Sequence, residues 1–208
     1  MGHITMAAPA LFETTHGALV FAFNFSGQAY DRPVMNRLAA PAVGSGKGLS
    51  GLDGAAQAGM VRAEVQRMGR IGEAILVARH APQSVPCSCR KACCSSYRPN
   101  KEWTDAVAII SDHVRATALA GCTTNALLRR AYVVRYFTPK AQRVALEAIA
   151  DAAEIDRHTV SAHAAKVAAM LGGQKARAGH QAVPGLEEAA LQAITDQLRE
   201  IGMVGDTA

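Results

Sequence analysis

Two groups of residues in this chain have the types and spacing for chemistry. The first is a set of thiols. Four of the five cysteines, Cys87, Cys89, Cys93 and Cys94, fall within eight residues of the segment PCSCRKACCSSYRPNKEW. Thiolates this close repel one another unless they are protonated or share a metal, and zinc takes four such ligands. The C-x-C-x3-C-C spacing differs from the usual zinc-finger pattern. If one adjacent cysteine cannot reach a common ion, His80, His113 or Cys122 is the replacement. Three readings stay open: a structural Zn2+ site, reduced thiols in a loop, and a redox or catalytic centre. A nucleophile needs a base and an oriented third group. The sequence identifies neither, so the expectation is a protein that is not an enzyme. Arg90, Lys91, Arg98 and Lys101 surround the thiols, and no acidic residue occurs from Arg79 to Lys101. Tyr97 and Trp103 could stack on bases beside these cations, or simply pack.

The second group lies in TPKAQRVALEAIADAAEIDRHTVSAHAAKVAAML. Val144, Ile149, Ala153 and Ile155 supply one apolar face, and Val160, Ala164, Val167 and Leu171 supply another after a short turn. Ala150 and Ala153 are small enough for two helices to cross closely. Asp156 can cap the second helix through the backbone NH of Thr159. This pattern predicts a helix-turn-helix over 139–171, opened by a capping Thr138 with Pro139 at the first helical position. Arg157, His158, Thr159, Ser161, Ala162 and Lys166 then face outward near the end that would enter a major groove. Arg157 can reach guanine or a phosphate, while Thr159 and Ser161 can bond phosphates or base edges, so the expected partner is double-stranded DNA. Arg129, Arg130, Arg135, Lys140 and Arg143 would hold the flanking backbone. Two positions depart from the common pattern: Glu154 stands where glycine is frequent in the turn, and His163 where an aliphatic residue is usual. The competing reading is a plain helical hairpin with a solvated basic face.

The elements that must position these residues are mostly helices. Half of the 208 residues are hydrophobic and only 5% are aromatic, a composition suited to closely packed helices. The expected fold is mainly α: a multi-helix domain containing the helix-turn-helix, a small cysteine-rich insert and a C-terminal amphipathic helix. Its segments are an N-terminal helical region over 1–81, the basic cysteine segment over 82–103, the helical DNA-binding region over 104–173, and a linker with the last helix over 174–208. Thr14 or Thr15 can cap a helix through Ala18 to Phe25, although the alternation there also permits a strand. Met60, Val61, Val65 and Met68 repeat at helical spacing after Asp53, and Val107, Ile110 and Val114 line a helix after Glu102. Thr124 opens another helix carrying Leu127, Leu128, Ala131, Val134 and Tyr136. Leu191, Ile194, Leu198 and Ile201 form a seam that could pack on the body or support self-association.

Charge and hydropathy bound the partners. The first 180 residues carry a net +9 and the remaining 28 carry −4, so the body suits a polyanion and the tail does not. No apolar run approaches the ~18 residues of a membrane span, and the N-terminus lacks a signal-peptide pattern. A cytoplasmic protein without membrane contact is expected. The glycine-rich GSGKGLSG, Gly44 to Gly51, lacks the four-residue spacer and preceding strand of a phosphate-cradling loop.

With these segments placed, the chain resembles phage late-gene transcription regulators, loosely the Q-type antiterminators. The resemblance rests on GLSGLDGAAQAGMVRAE, Gly48 to Glu64, on the basic cysteine-bearing insert, and on a helix-turn-helix towards the C-terminal end. It implies binding to a DNA element near a late promoter. It also implies engagement of a paused bacterial RNA polymerase containing sigma factor, in the host cytoplasm, and readthrough of terminators. A repressor or activator acting at initiation is the alternative.

Overall fold

Helix α1 (Thr15–Asn24) starts where the Thr14 hydroxyl accepts a hydrogen bond from the Gly17 amide at 3.0 Å. That cap settles the choice between helix and strand in favour of helix. The computed structural model describes residues 10–25, 52–87, 89, 94–176 and 181–205. The described helices, with one two-stranded sheet among the described residues, make it mainly α. It divides into two units, Met1–Arg67 with Ala193–Ala208, and Met68–Gln192. The division falls at Met68 and inside the last helix, away from the segment boundaries at 81 and 173 that the sequence suggests. The Gly44 to Gly51 loop lies outside the described residues. No described helix is long and apolar enough to cross a membrane.

In the first unit, α1 packs on α2 (Leu52–Arg67). Ala18, Leu19 and Ala22 of α1 and Ala58, Val61 and Val65 of α2 are buried. The expected repeat at Met60 is corrected: its side chain is 51% exposed. The inward stripe is Ala58, Val61 and Val65, at spacings of three and four, and Met60 lies off it by the 100° turn per residue. Arg62 joins the two helices, its Nε donating to the Ala22 carbonyl at 3.0 Å and its guanidinium lying 5.0 Å from the centre of the Phe23 ring. Phe12 forms a parallel bridge with Val204. The C-terminal part of α8 (Leu186–Glu200) belongs to this unit, with Ile194 and Leu198 fully buried. The expected seam is therefore rotated. Its central residues are buried within this chain, while Leu191 and Ile201 are 38% and 40% exposed.

The second unit opens with α3 (Gly69–His80). Gly69 has φ +74°, a left-handed conformation that glycine adopts without a Cβ penalty and that separates α2 from α3. A hairpin of β1 (Ser84–Pro86) and β2 (Tyr97–Pro99) follows, pairing Ser84 with Pro99, Val85 with Arg98 and Pro86 with Tyr97. Asn100 ends the hairpin and begins α4 (Lys101–Ala116): its side chain accepts from the Glu102 amide and donates to the Pro82 carbonyl at 2.8 Å. α4 packs on α3, and the Trp103 indole NH donates to the Ala78 carbonyl at 3.1 Å. Trp103, Val107, Ile110 and Val114 are buried, as their spacing predicts.

α5 (Ala126–Phe137) is capped by Asn125, whose side chain accepts from the Leu128 amide at 2.8 Å; Thr124, the expected start, lies one residue earlier. The start of the next helix is also corrected. Thr138 is the C-cap of α5, its hydroxyl donating to the Val134 carbonyl at 2.7 Å. A short 3-10 turn, Lys140–Gln142, follows Pro139, and α6 (Leu146–Ala153) begins only after Ala145. Thr138 is committed to the helix before it, so Pro139 terminates rather than initiates. α7 (Arg157–Gly172) then packs on both α6 and α5. Beyond it, the chain bridges back through Gln174 and Val183, and a Cβ on Gly185 would lie 2.3 Å from the Gly173 nitrogen. That close backbone crossing requires glycine. It returns the chain to α8, where Glu187 accepts from the Tyr136 hydroxyl at 2.7 Å and from Arg79 Nη2 at 2.8 Å.

Candidate functional site

The turn between α6 and α7 consists of Glu154, Ile155 and Asp156. Glu154 has φ +53° and ψ +41°, the left-handed conformation for which glycine is the usual choice. The turn is closed by amide bonds from Glu154 to Asp151 and from Ile155 to Ala150, at 3.2 and 3.1 Å. The Asp156 carboxylate accepts from the Thr159 amide at 3.0 Å, as expected. That bond, with lesser help from the His158 amide and charge, holds the Asp156 carboxyl below its usual range. The two helices bury Ile149, Ala150, Val160, Val167 and Leu171. Val144 does not join this face, being 58% exposed. Ala153, Ile155 and Ala164 are half-buried.

His163 is buried, with Nδ1 3.5 Å from the Tyr132 hydroxyl and the two rings edge to face at 78°. It packs α7 on α5 and reads nothing outside. Burial, then the Lys166 charge, lowers its pKa, and burial raises the Tyr132 phenol to about 12.

The outward face of α7 is as its sequence predicts: Arg157, His158, Thr159, Ser161, Ala162 and Lys166 are all exposed. Arg157 Nη1 meets Glu147 Oε1 of α6 at 2.5 Å, with both side chains more than half exposed. Such an exposed pair is worth at most ~1 kcal/mol and exchanges readily for a stronger anion. Lys166 Nζ lies 3.6 Å from the Cys122 sulfur. Glu147 is the residue that sequence reasoning missed. Its charge was visible, but nothing in the spacing relates the first turn of α6 to the first turn of α7.

The five upstream cations separate. Arg129 is corrected as a backbone-contacting residue: it is only 8% exposed, and Nη1 donates to the Thr124 carbonyl at 2.6 Å. Arg135 donates to the Val144 carbonyl. Arg143 donates to the carbonyls of Thr138 and Tyr136, at 2.8 and 3.2 Å, and so folds the connection back on α5. Arg130 and Lys140 are exposed. Glu147, Asp151 and Glu154 of α6 and its turn are exposed as well, so acidic residues stand in the chain between the cations before α6 and those of α7.

The cysteines occupy the tip of the β hairpin. Pairing continues one step past β1, where the Cys87 amide donates to the Ser96 carbonyl at 2.8 Å, and Ser96 takes φ +65°. The sulfurs of Cys87, Cys89 and Cys94 all lie within 4.8 Å of one another, Cys89 exposed and the other two half-buried. The hydrogen bond that the Cys94 thiol makes to Cys89 is the main cause that raises the Cys94 pKa. Cys93 lies outside the described residues. Among the described residues, none of His80, His113 and Cys122 joins the group. A zinc ion bound at about 2.3 Å to each sulfur sets sulfurs about 3.8 Å apart, so a small closure of the tip would let three thiolates hold one metal ion.

No protein-family model, curated protein or solved structure matches the chain.

Proposed function

We propose that this protein is a sequence-specific DNA-binding regulator of transcription, with α6 and α7 acting as a helix-turn-helix and α7 as the reading helix. The observation that carries this reading is the division of α7 into two faces. Val160, His163, Val167 and Leu171 are buried, while Arg157, His158, Thr159, Ser161 and Lys166 are exposed together. Short polar and basic side chains on the first turns of an otherwise well-packed helix are the set that reaches base edges and phosphates in a major groove. Arg157 serves as the principal base reader, exchanging Glu147 for a guanine edge or a phosphate. Thr159 and Ser161 contribute lesser contacts, and Lys140 adds charge along the flanking backbone.

The tip cysteines fit a structural Zn2+ site. Three thiols within 4.8 Å support this, because zinc draws such donors together and a hairpin of two short strands gains from a staple. On the resemblance to the Q-type antiterminators, the regulator acts on late genes: it binds near a promoter, engages RNA polymerase with sigma factor, and carries it through terminators.

The test has two stages. Duplexes selected from a random library should bind the wild-type chain, and Arg157→Ala should lower specific affinity about tenfold to a hundredfold with an unchanged helical signal. Unaltered affinity in the folded variant would remove α7 as the reading helix. Reconstituted transcription across a terminator then separates the mechanisms. Readthrough requiring both the element and the protein supports antitermination, and an effect confined to initiation rejects it.

A further inference from the structure

One face of α5 is left open in a way that its sequence does not explain. Leu127, Arg130, Ala131, Val134, Arg135 and Thr138 line a groove of about 320 Å3 whose opposite wall includes Val144 and Ile149. These six positions follow one another at spacings of three, one, three, one and three, a single stripe along α5 about 16 Å long. Leu127 is 78% exposed, the highest value among the described large hydrophobic residues, and Val144 is 58% exposed. Arg135 ties the two walls together by donating to the Val144 carbonyl. Among the described residues no carboxylate lines the groove, and Arg130 and Arg135 are the charges that do.

We propose that this groove docks an amphipathic helix of a partner protein, about three turns long, with aliphatic anchors flanked by acidic residues. The length follows from the stripe, because a helix laid along α5 meets it over the same three turns. The anchors follow from Leu127 and Val144, which such a helix would cover. The acidic flank follows from Arg130 and Arg135, which stand beside apolar side chains with no acidic residue in the lining. A DNA backbone would use these arginines but leave Leu127 and Val144 in water. This surface is separate from the reading face of α7, and the inference does not depend on DNA binding.

The probes are three synthetic helical peptides of about four turns: an acidic amphipathic sequence with leucine anchors, a scrambled sequence of the same composition, and the amphipathic sequence with lysine for every glutamate. Titrated against the full chain, the acidic amphipathic peptide should bind at least about tenfold more tightly than the other two and shift the amide signals of Leu127, Arg130 and Val144. Leu127→Asp and Leu127→Lys should both weaken it about tenfold. Leu127 sits in the first turn of α5, where aspartate is favourable to the helix dipole, so loss of folding is not the expected cause. The matched helical signal of both variants checks this. Tighter binding by Leu127→Lys would mean that charge alone is recognised and would overturn the proposal. So would equal binding of the scrambled peptide, or no peptide binding while duplex DNA shifts Arg130 and Arg135.

Discussion

Glu154 shows what a single residue can reveal about a turn. A left-handed conformation costs an L-residue roughly 1–2 kcal/mol, and part of that cost is recovered when glycine, with its larger unfolded entropy, takes the position. Glu154 is exposed with φ +53°, and the sequence had marked it as the place where glycine is frequent. Glu154→Gly should therefore stabilise the fold by about 0.5–1 kcal/mol, read as a higher denaturation midpoint at constant slope. A lower midpoint would mean that the glutamate side chain contributes more than its backbone strain. Arg157 teaches the complementary point. Its place on the outward face was legible from period and capping, because Asp156 and Val160 fix the phase of α7. Its partner was not, because Glu147 meets it only through the turn that folds α6 against α7.

At the scale of elements, the hairpin of β1 and β2 is the part that sequence reasoning did not foresee. Each strand has three residues and ends in proline, and proline inside an apparent loop argues against a central strand. Pairing is possible here because the sheet has only these two strands, so each proline nitrogen can face away from the partner. Asn100 then fixes the hairpin base to α4 by bonding to the Pro82 carbonyl. A two-stranded hairpin is marginal alone, which is why the cysteine tip matters. If Cys87, Cys89 and Cys94 staple it through zinc, freshly purified protein should hold about one zinc per chain. Cys89→Ser should lower retention, and chelation should open the segment between β1 and β2 to proteases while the helical signal persists. Protein free of zinc with a protease-resistant tip would reject the staple. The α5 to α6 connection also departs from its local sequence: the pair Thr138-Pro139 has the composition of a helix start, yet the Thr138 hydroxyl bonds backwards to Val134.

For the molecule as a whole, acid stability gathers local burials into one measurable curve. His163 is held below its usual 6.5 by burial and by Lys166. Burial draws Glu187 upward, but the hydrogen bonds from Arg79 and Tyr136 and the Arg79 charge outweigh it and hold the carboxyl below its usual 4.5. Both folded values are depressed, so the unfolded chain binds more protons and stability falls with falling pH. The His163 contribution is present above about 6.5 and declines as pH drops from there through the folded value. The Glu187 contribution is retained down to about 4.5 and is lost as pH falls from there through the folded value. Denaturation midpoints measured from pH 8 to pH 3 should show two descending stages, with His163→Gln removing the upper and Glu187→Gln the lower. A flat curve between pH 7 and pH 5 in the wild type would contradict the buried environment of His163. By itself, the sequence determined the helical class, the capping of α7, the buried stripe of α4 and the outward set on α7. These depend on local spacing and on side chains that bond within their own turn. Only the tertiary structure decided that Arg129 is withdrawn, that Met60 and Leu127 face outward, that Ile194 and Leu198 are buried, and that three thiols converge. Each of these depends on which face of an element meets a distant segment, and periodicity gives the phase of a face without naming what covers it.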